Sequence, residues 1–471
     1  MANGRNRIGF VDDNPTTLAK VSHPTYSVLR TLLVILCLVL PVGAQTEDGP
    51  SSSEVVHPVE IEIEPVTDSA AESTEDVEGP AGWKERFNHL RRTGEVSPGN
   101  LPQVPANLKD DYFRLLNGNL WLNPGGFVEL DAYLDQGDPV GLFAFTPSKI
   151  GTVPPEENRR FLELGPDARL SLRRTRLSLD AYLPRPAIWQ GTRFYLEVDF
   201  FGKDGAPRLR HAYVALPYLI VGRTNSAFKD PDAEPETVDI SGPNSIFGSR
   251  QQGVRVIVPF GDHRLSLGAE NPGGIITPNG FELEDDGLRN SVDLAGNFRA
   301  NQEWGHLQVS GVYRNIKLED FPGQQNSFKG WGLGLSGKKQ IGEKDAFVFE
   351  AVMGDGVGRY ISDLSGTTSE VGYDAAGVLG TQFAHGAYLG YQYHWTESTR
   401  STFYGGYAQV NLREGQPSDS YRRGTKLALN VMHDLSEQDR VGLEFMLGQR
   451  ENFDGQTMSA NRLQFLFRHS F

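Results

Sequence analysis

The chain has a single cysteine, Cys37, among its 471 residues. One thiol excludes a disulfide framework and a thiolate metal site. Nowhere do twenty apolar residues run together, which excludes a conventional transmembrane helix. There is no basic excess either: 45 Lys and Arg stand against 60 Asp and Glu, a net charge of −15. No basic patch interleaved with aromatics supports a nucleic-acid partner. The motifs H-E-x-x-H and G-x-S-x-G and a Gly-rich phosphate loop are missing, and the ten histidines are scattered. The expectation is a protein that is not an enzyme and carries no metal or cofactor. What is abundant is glycine, at 53, with 26 Phe and 16 Tyr. That composition suits an all-β chain, either a soluble sandwich or a barrel with aromatic girdles.

The apolar stretch 31–44 follows Arg30 and ends at Val42, Gly43 and Ala44. It reads as a secretory signal, 1–44, cleaved after Ala44. Cys37 lies inside it, so the mature chain would be free of cysteine, as suits passage through an oxidising periplasm. Residues 45–80 are rich in Ser, Glu, Asp and Pro, with eleven acids from Glu47 to Glu78 and no Lys or Arg. Such a stretch buries too little apolar surface to order itself and is expected to be a disordered acidic periplasmic tail. Trp83, Phe87 and Leu90 recur at helical spacing among Lys84, Arg86, Arg91 and Arg92. They predict a short amphipathic helix within an irregular lead-in, 81–124.

From Gly125 the pattern turns to period two and keeps it. Val441, Leu443, Phe445 and Leu447 oppose Gly442, Glu444 and Gly448; Phe194, Leu196 and Val198 oppose Arg193, Tyr195, Glu197 and Asp199. Alternation alone does not separate a sandwich from a membrane barrel, because the barrel merely inverts which face is wet. Connector lengths do. Short gaps at 184–190, 259–263, 299–304, 338–345, 396–400 and 434–438 alternate with long ones at 135–167, 224–252, 271–288, 315–329, 354–385, 411–423 and 450–460. The gap 202–206 is the exception, short where a long one is due. Short turns on one side and long loops on the other predict a transmembrane barrel of sixteen antiparallel strands, 125–471. The last strand, 461–471, puts Leu463, Phe465, Phe467 and Phe471 on one face. A strand closed by an aromatic resembles the assembly signal of bacterial outer-membrane barrels. It implies the lipid bilayer and the barrel assembly machinery as partners. Within 169–183 the apolar frame shifts between Leu172 and Leu177, which predicts a bulge.

Arg174, Arg176, Arg193, Arg208, Arg210, Arg223 and Arg255 fall at the inward parity of strands 2 to 6, and Arg250 ends the loop 224–252. A guanidinium is always charged and offers a fork of donors suited to carboxylates and phosphates. Lining a wet lumen, these residues would concentrate anions. Glu197, Asp199 and Glu270 share their parity, so the arginines could instead serve to neutralise the wall. An outer-membrane enzyme would need a serine beside an outward histidine. His211 and His469 have the outward parity, but no partner serine is evident.

Several blocks in order resemble the DcaP-like outer-membrane porins. They include S-L-R-R-T-R-L-S-L-D-A-Y from Ser171, F-Y-L-E-V-D-F-F-G from Phe194, R-L-R-H-A-Y-V from Arg208, L-I-V-G-R-T-N-S-A-F from Leu219 and E-N-P-G from Glu270. Gly125 to Asp135 is similar to that family's first strand. The resemblance implies a trimeric sixteen-stranded porin that passes small anions, dicarboxylates in particular, with the loop 224–252 folded inward. Arg223 stands where the family usually has Gln, and Asn225 where it has an aromatic, so substrate preference can differ. The alternative is a structural outer-membrane protein that tethers envelope layers through its acidic tail and the 83–92 helix.

Overall fold

A computed structural model describes residues 112–116, 119–138, 140–152, 163–165, 168–183, 192–271, 292–317 and 327–471. The expected signal, acidic tail and 83–92 helix lie outside the described residues. The described residues form a closed antiparallel barrel and the loops inside it. Its strands are β1 (Leu120–Gly137), β2 (Ala168–Ser171 and Arg176–Leu183), β3 (Thr192–Asp199) and β4 (Arg208–Leu216). There follow β5 (Leu219–Asn225), β6 (Arg250–Phe260), β7 (His263–Asn271), β8 (Asp293–Gln302), β9 (Gly305–Lys317) and β10 (Ser327–Ile341). The wall finishes with β11 (Asp345–Asp355), β12 (Phe383–His394), β13 (Thr399–Asn411), β14 (Tyr421–Asp434), β15 (Asp439–Asn452) and β16 (Thr457–Ser470). Each strand pairs with the next, and β16 returns to β1 in a register running from Phe127↔Ser470 to Gly137↔Ala460. Closure removes every free edge, which is what allows strands to cross a bilayer.

The faces divide as a membrane wall requires. On β15, Leu443, Phe445 and Leu447 point outward while Glu444 and Met446 are buried inside. Aromatics crowd the outer surface near the short-turn rim. Phe347 and Tyr391 rings stand 4.7 Å apart, as do those of Tyr393 and Trp395, and Trp395 donates Nε1 to Ser401 at 2.9 Å. An amphipathic ring belongs at that depth, half in hydrocarbon and half in water.

Two irregularities re-aim side chains. Asp131 pairs with Ser171 but Phe127 with Arg176, so β2 carries one extra residue at the predicted frame shift. On β4, Glu197 faces His211 while Val198 faces Leu209. The extra residue there is Arg210, and the bulge flips the frame. His211 therefore points inward, buried, with Nδ1 3.1 Å from Thr224 Oγ1. This corrects the outward parity read from the sequence.

Candidate functional site

The lumen is occupied by loops. Loop 3, between β5 and β6, turns inward and runs around the inner wall. Its Asp230 carboxylate meets His306 at 2.9 Å, Ser336 at 2.7 Å and Arg299 at 3.3 Å. Farther along, the Phe247 amide donates to Glu350 at 2.9 Å and the Val238 amide to Glu444 at 2.6 Å. Glu236 is gripped by Arg400 and Arg440. Burial alone would raise its carboxyl, but the Arg400 hydrogen bonds and the two arginine charges hold it down at about 2. Asp239 takes the Lys426 ammonium at 2.7 Å.

Loop 1, between β1 and β2, and loop 6, between β11 and β12, join it, which the sequence did not suggest. Phe145 of loop 1 is fully buried, and its amide donates to Asp239 at 3.0 Å. Asp363 of loop 6 accepts from the Ser148 amide at 2.8 Å, from Asn244 Nδ2 at 3.2 Å and from the Tyr421 hydroxyl. One carboxylate thus ties loops 1, 3 and 6 to β14. Phe228 and Phe247, with ring centroids 4.8 Å apart, pack with Tyr360, Ile361 and Leu364 against Val312 and Val352. That side of the barrel is a dry core rather than a channel.

Glycines on the inner wall make room for it. A Cβ on Gly334 would stand 2.5 Å from Phe247 Cζ, one on Gly424 2.6 Å from Pro147 Cβ, and one on Gly448 2.7 Å from Phe145 Cε1. The high glycine content therefore has a structural use: inward positions without side chains form the seat of the loops.

The arginines predicted from parity separate into three groups. Arg176, Arg208 and Arg210 gather around two carboxylates, with Arg250 in electrostatic range. Arg210 donates to Glu197 at 2.6 Å and to Asp199 at 2.8 Å; Arg208 meets Asp199 at 2.7 Å, and Arg176 lies 3.7 Å from Glu197. The charge of Arg250 interacts with all of these arginines and with Glu197. The Arg208 side chain is the most open of the set, at 45%.

A second group is compensated by local carboxylates. Arg174 lies 3.0 Å from Glu129 and also bonds the Val238 carbonyl. Arg193 holds Asp180 through two bonds of 2.9 and 2.7 Å. Arg255 bonds the Asn225 carbonyl and acts on Glu270. Beyond Glu197, Asp199 and Glu270, the opposing acids on the inner face include Glu129, Asp131 and Asp180, legible from the same parity. Third, Arg223 does not line the lumen. It shares the face of Val221, while Ile220 and Thr224 are buried on the inner face. Its Nε donates to the Leu209 carbonyl at 3.3 Å instead. Strand β5 simply alternates with its even residues inward, so the odd arginine faces out.

A family model described as DcaP outer membrane protein matches residues 181–471. Comparison with curated proteins finds no match. Among solved structures, the outer membrane channel DcaP of Acinetobacter baumannii superposes with a TM-score of 0.64 at 20% identity, over 76% of this chain and 99% of that one. OmpT of Vibrio cholerae gives 0.48 at 10% identity over 76% and 100% of the two chains. OmpF of Salmonella typhi gives 0.48 at 8%, over 76% and 100%.

Proposed function

We propose, starting from the premise that this chain belongs to the DcaP outer membrane protein family, that it is a passive channel for small anionic solutes, dicarboxylates foremost. That it is a channel-type barrel of the bacterial outer membrane follows from the family and the fold. Its long loops are then extracellular and its short turns periplasmic. The anion reading rests on one observation: Arg176, Arg208 and Arg210 share the carboxylates of Glu197 and Asp199, and Arg250 adds its charge within electrostatic range of them. Four cations against two anions leave an excess positive charge on the wall of β2 to β6. In a confined, partly desolvated passage that excess is screened less than on an open surface. A dianion can engage two guanidinium forks where a monoanion engages one. Family membership also supports a homotrimer, and the apolar outer face supports contact with the bilayer and with the barrel assembly machinery.

The test is a single-channel measurement of reversal potential in a KCl gradient, with and without dicarboxylate. Anion preference and block at roughly millimolar concentration or below are expected. Replacing Arg208 and Arg210 by Ser should weaken the block and move the reversal potential toward cations. A wild-type channel that prefers K⁺ sinks the proposal.

A further inference from the structure

The inward arginines do not stop at β6. At the periplasmic rim Arg440 of β15 and Arg468 of β16 are paired directly across the sheet. Like charges in that position repel and are normally avoided. Arg440 is held by two carboxylates and Arg468 by one. Arg440 meets Asp434 at 2.5 Å and Glu236 at 2.7 Å, and Arg468 meets Glu129 at 2.5 Å. Both keep open surface, 30% for the Arg440 side chain and 22% for that of Arg468, whereas Glu129 has none. Arg468 also stacks on Phe127 at 4.2 Å, and Arg176 covers the same ring at 5.3 Å. Phe127 thus links the periplasmic pair to the cluster around Glu197 and Asp199, whose Asp199, Arg208 and Arg250 stand at the long-loop ends of β3, β4 and β6.

We infer that Arg440 and Arg468 form a second anion site, at the periplasmic mouth, that takes the two carboxylates of a small dianion between neighbouring guanidinium groups. The site rests on the anion reading of the channel and adds to it a station on the far side. A solute leaving Arg208, Arg210 and Arg176 is handed across the barrel closure to Arg468 and Arg440, with Arg400 behind them on Glu236 and Asp434. Two weak stations in series favour transit over capture, because neither needs to bind tightly.

The experiment adds succinate to one side at a time of channels inserted in known orientation. In Arg440→Gln/Arg468→Gln the half-blocking concentration from the periplasmic side should rise about tenfold, the loss of one good charge-assisted fork. Block from the extracellular side should change less. Arg440→Lys/Arg468→Lys keeps the charges that Glu236, Asp434 and Glu129 require and loses only the forks. It guards against a variant that fails to fold and should show an intermediate rise. Unchanged periplasmic block in a folded double variant, with extracellular block still sensitive to Arg208→Ser/Arg210→Ser, overturns the second site and leaves the channel's anion function standing. No succinate block of the wild type from either side overturns both.

Discussion

The Lys426 ammonium lies 2.7 Å from the Asp239 carboxylate, and neither side chain has any contact with water. The lysine comes from β14 and the aspartate from loop 3, so the pair pins the loop to the wall. Lys426 also donates to the Gly242 carbonyl at 2.7 Å and to the Phe145 carbonyl at 3.0 Å, which satisfies its ammonium. Removing one partner strands a buried charge, at about 3–5 kcal/mol. We therefore expect Lys426→Met to lower the thermal transition of the folded barrel and raise conductance. Adding Asp239→Asn should recover part of both. A Lys426→Met channel with wild-type conductance would show that the loop is held elsewhere.

The glycine seat makes a different forecast. Gly334→Val places a side chain where Phe247 packs, an overpacking worth about 1–3 kcal/mol. Loop 3 should loosen, seen as noisier single-channel current and faster proteolysis within the loop. Gly405→Ala, where the nearest side-chain atom is Leu427 Cδ2, should behave as wild type.

Asp363 predicts a pH response. Burial pushes its carboxyl up, and the donors from Tyr421, Ser148 and Asn244 offset this only in part. A carboxyl raised on assembly favours the assembled state most below its free value of about 3.9, and that gain fades as pH rises through the raised value. Acidification should therefore tighten the junction of loops 1, 3 and 6. Fewer openings or a lower conductance at acid pH are expected, and Asp363→Asn at neutral pH should resemble the acidified wild type. If the variant keeps the full pH response, the sensor lies elsewhere.

Phe471 is exposed on the outer face, and its amide and carbonyl both bond Gly126, at 3.1 and 3.2 Å. Deleting it should sharply reduce heat-modifiable, folded barrel in the outer membrane. Folded protein at the wild-type level would refute a role in assembly.

The strands were legible because alternation and connector length are local signals. Alternation predicts a strand over 439–449, and Asp439–Asn452 forms one. Side-chain direction was legible only where no residue was added. One extra residue at Arg210 turns His211 inward, and nothing in R-L-R-H-A-Y-V marks the bulge. Loop length says that a loop is long, not that it folds inside. Better signals existed. Lys426 is a lone inward lysine between outward Thr425 and Leu427, and glycines recur at inward positions of β10 to β15. Both announce something packed against the inner wall. The compensation of Arg193 by Asp180 depends on strands that neighbour each other, so it appears once pairing is known.

Loop 3 has an electrostatic consequence beyond narrowing the bore. Its Asp230, Asp232, Glu236 and Asp239 meet Arg299, Arg400, Arg440 and Lys426 of the wall. The loop is a tethered counterion for half the barrel. A cylinder that closed before the loop arrived would leave Lys426 without the Asp239 carboxylate, Arg299 without Asp230 and Asp232, and Arg400 and Arg440 sharing the one carboxylate of Asp434. Loop docking and strand closure must therefore proceed together, and the order of assembly is written into the charge sequence of a segment that crosses no membrane.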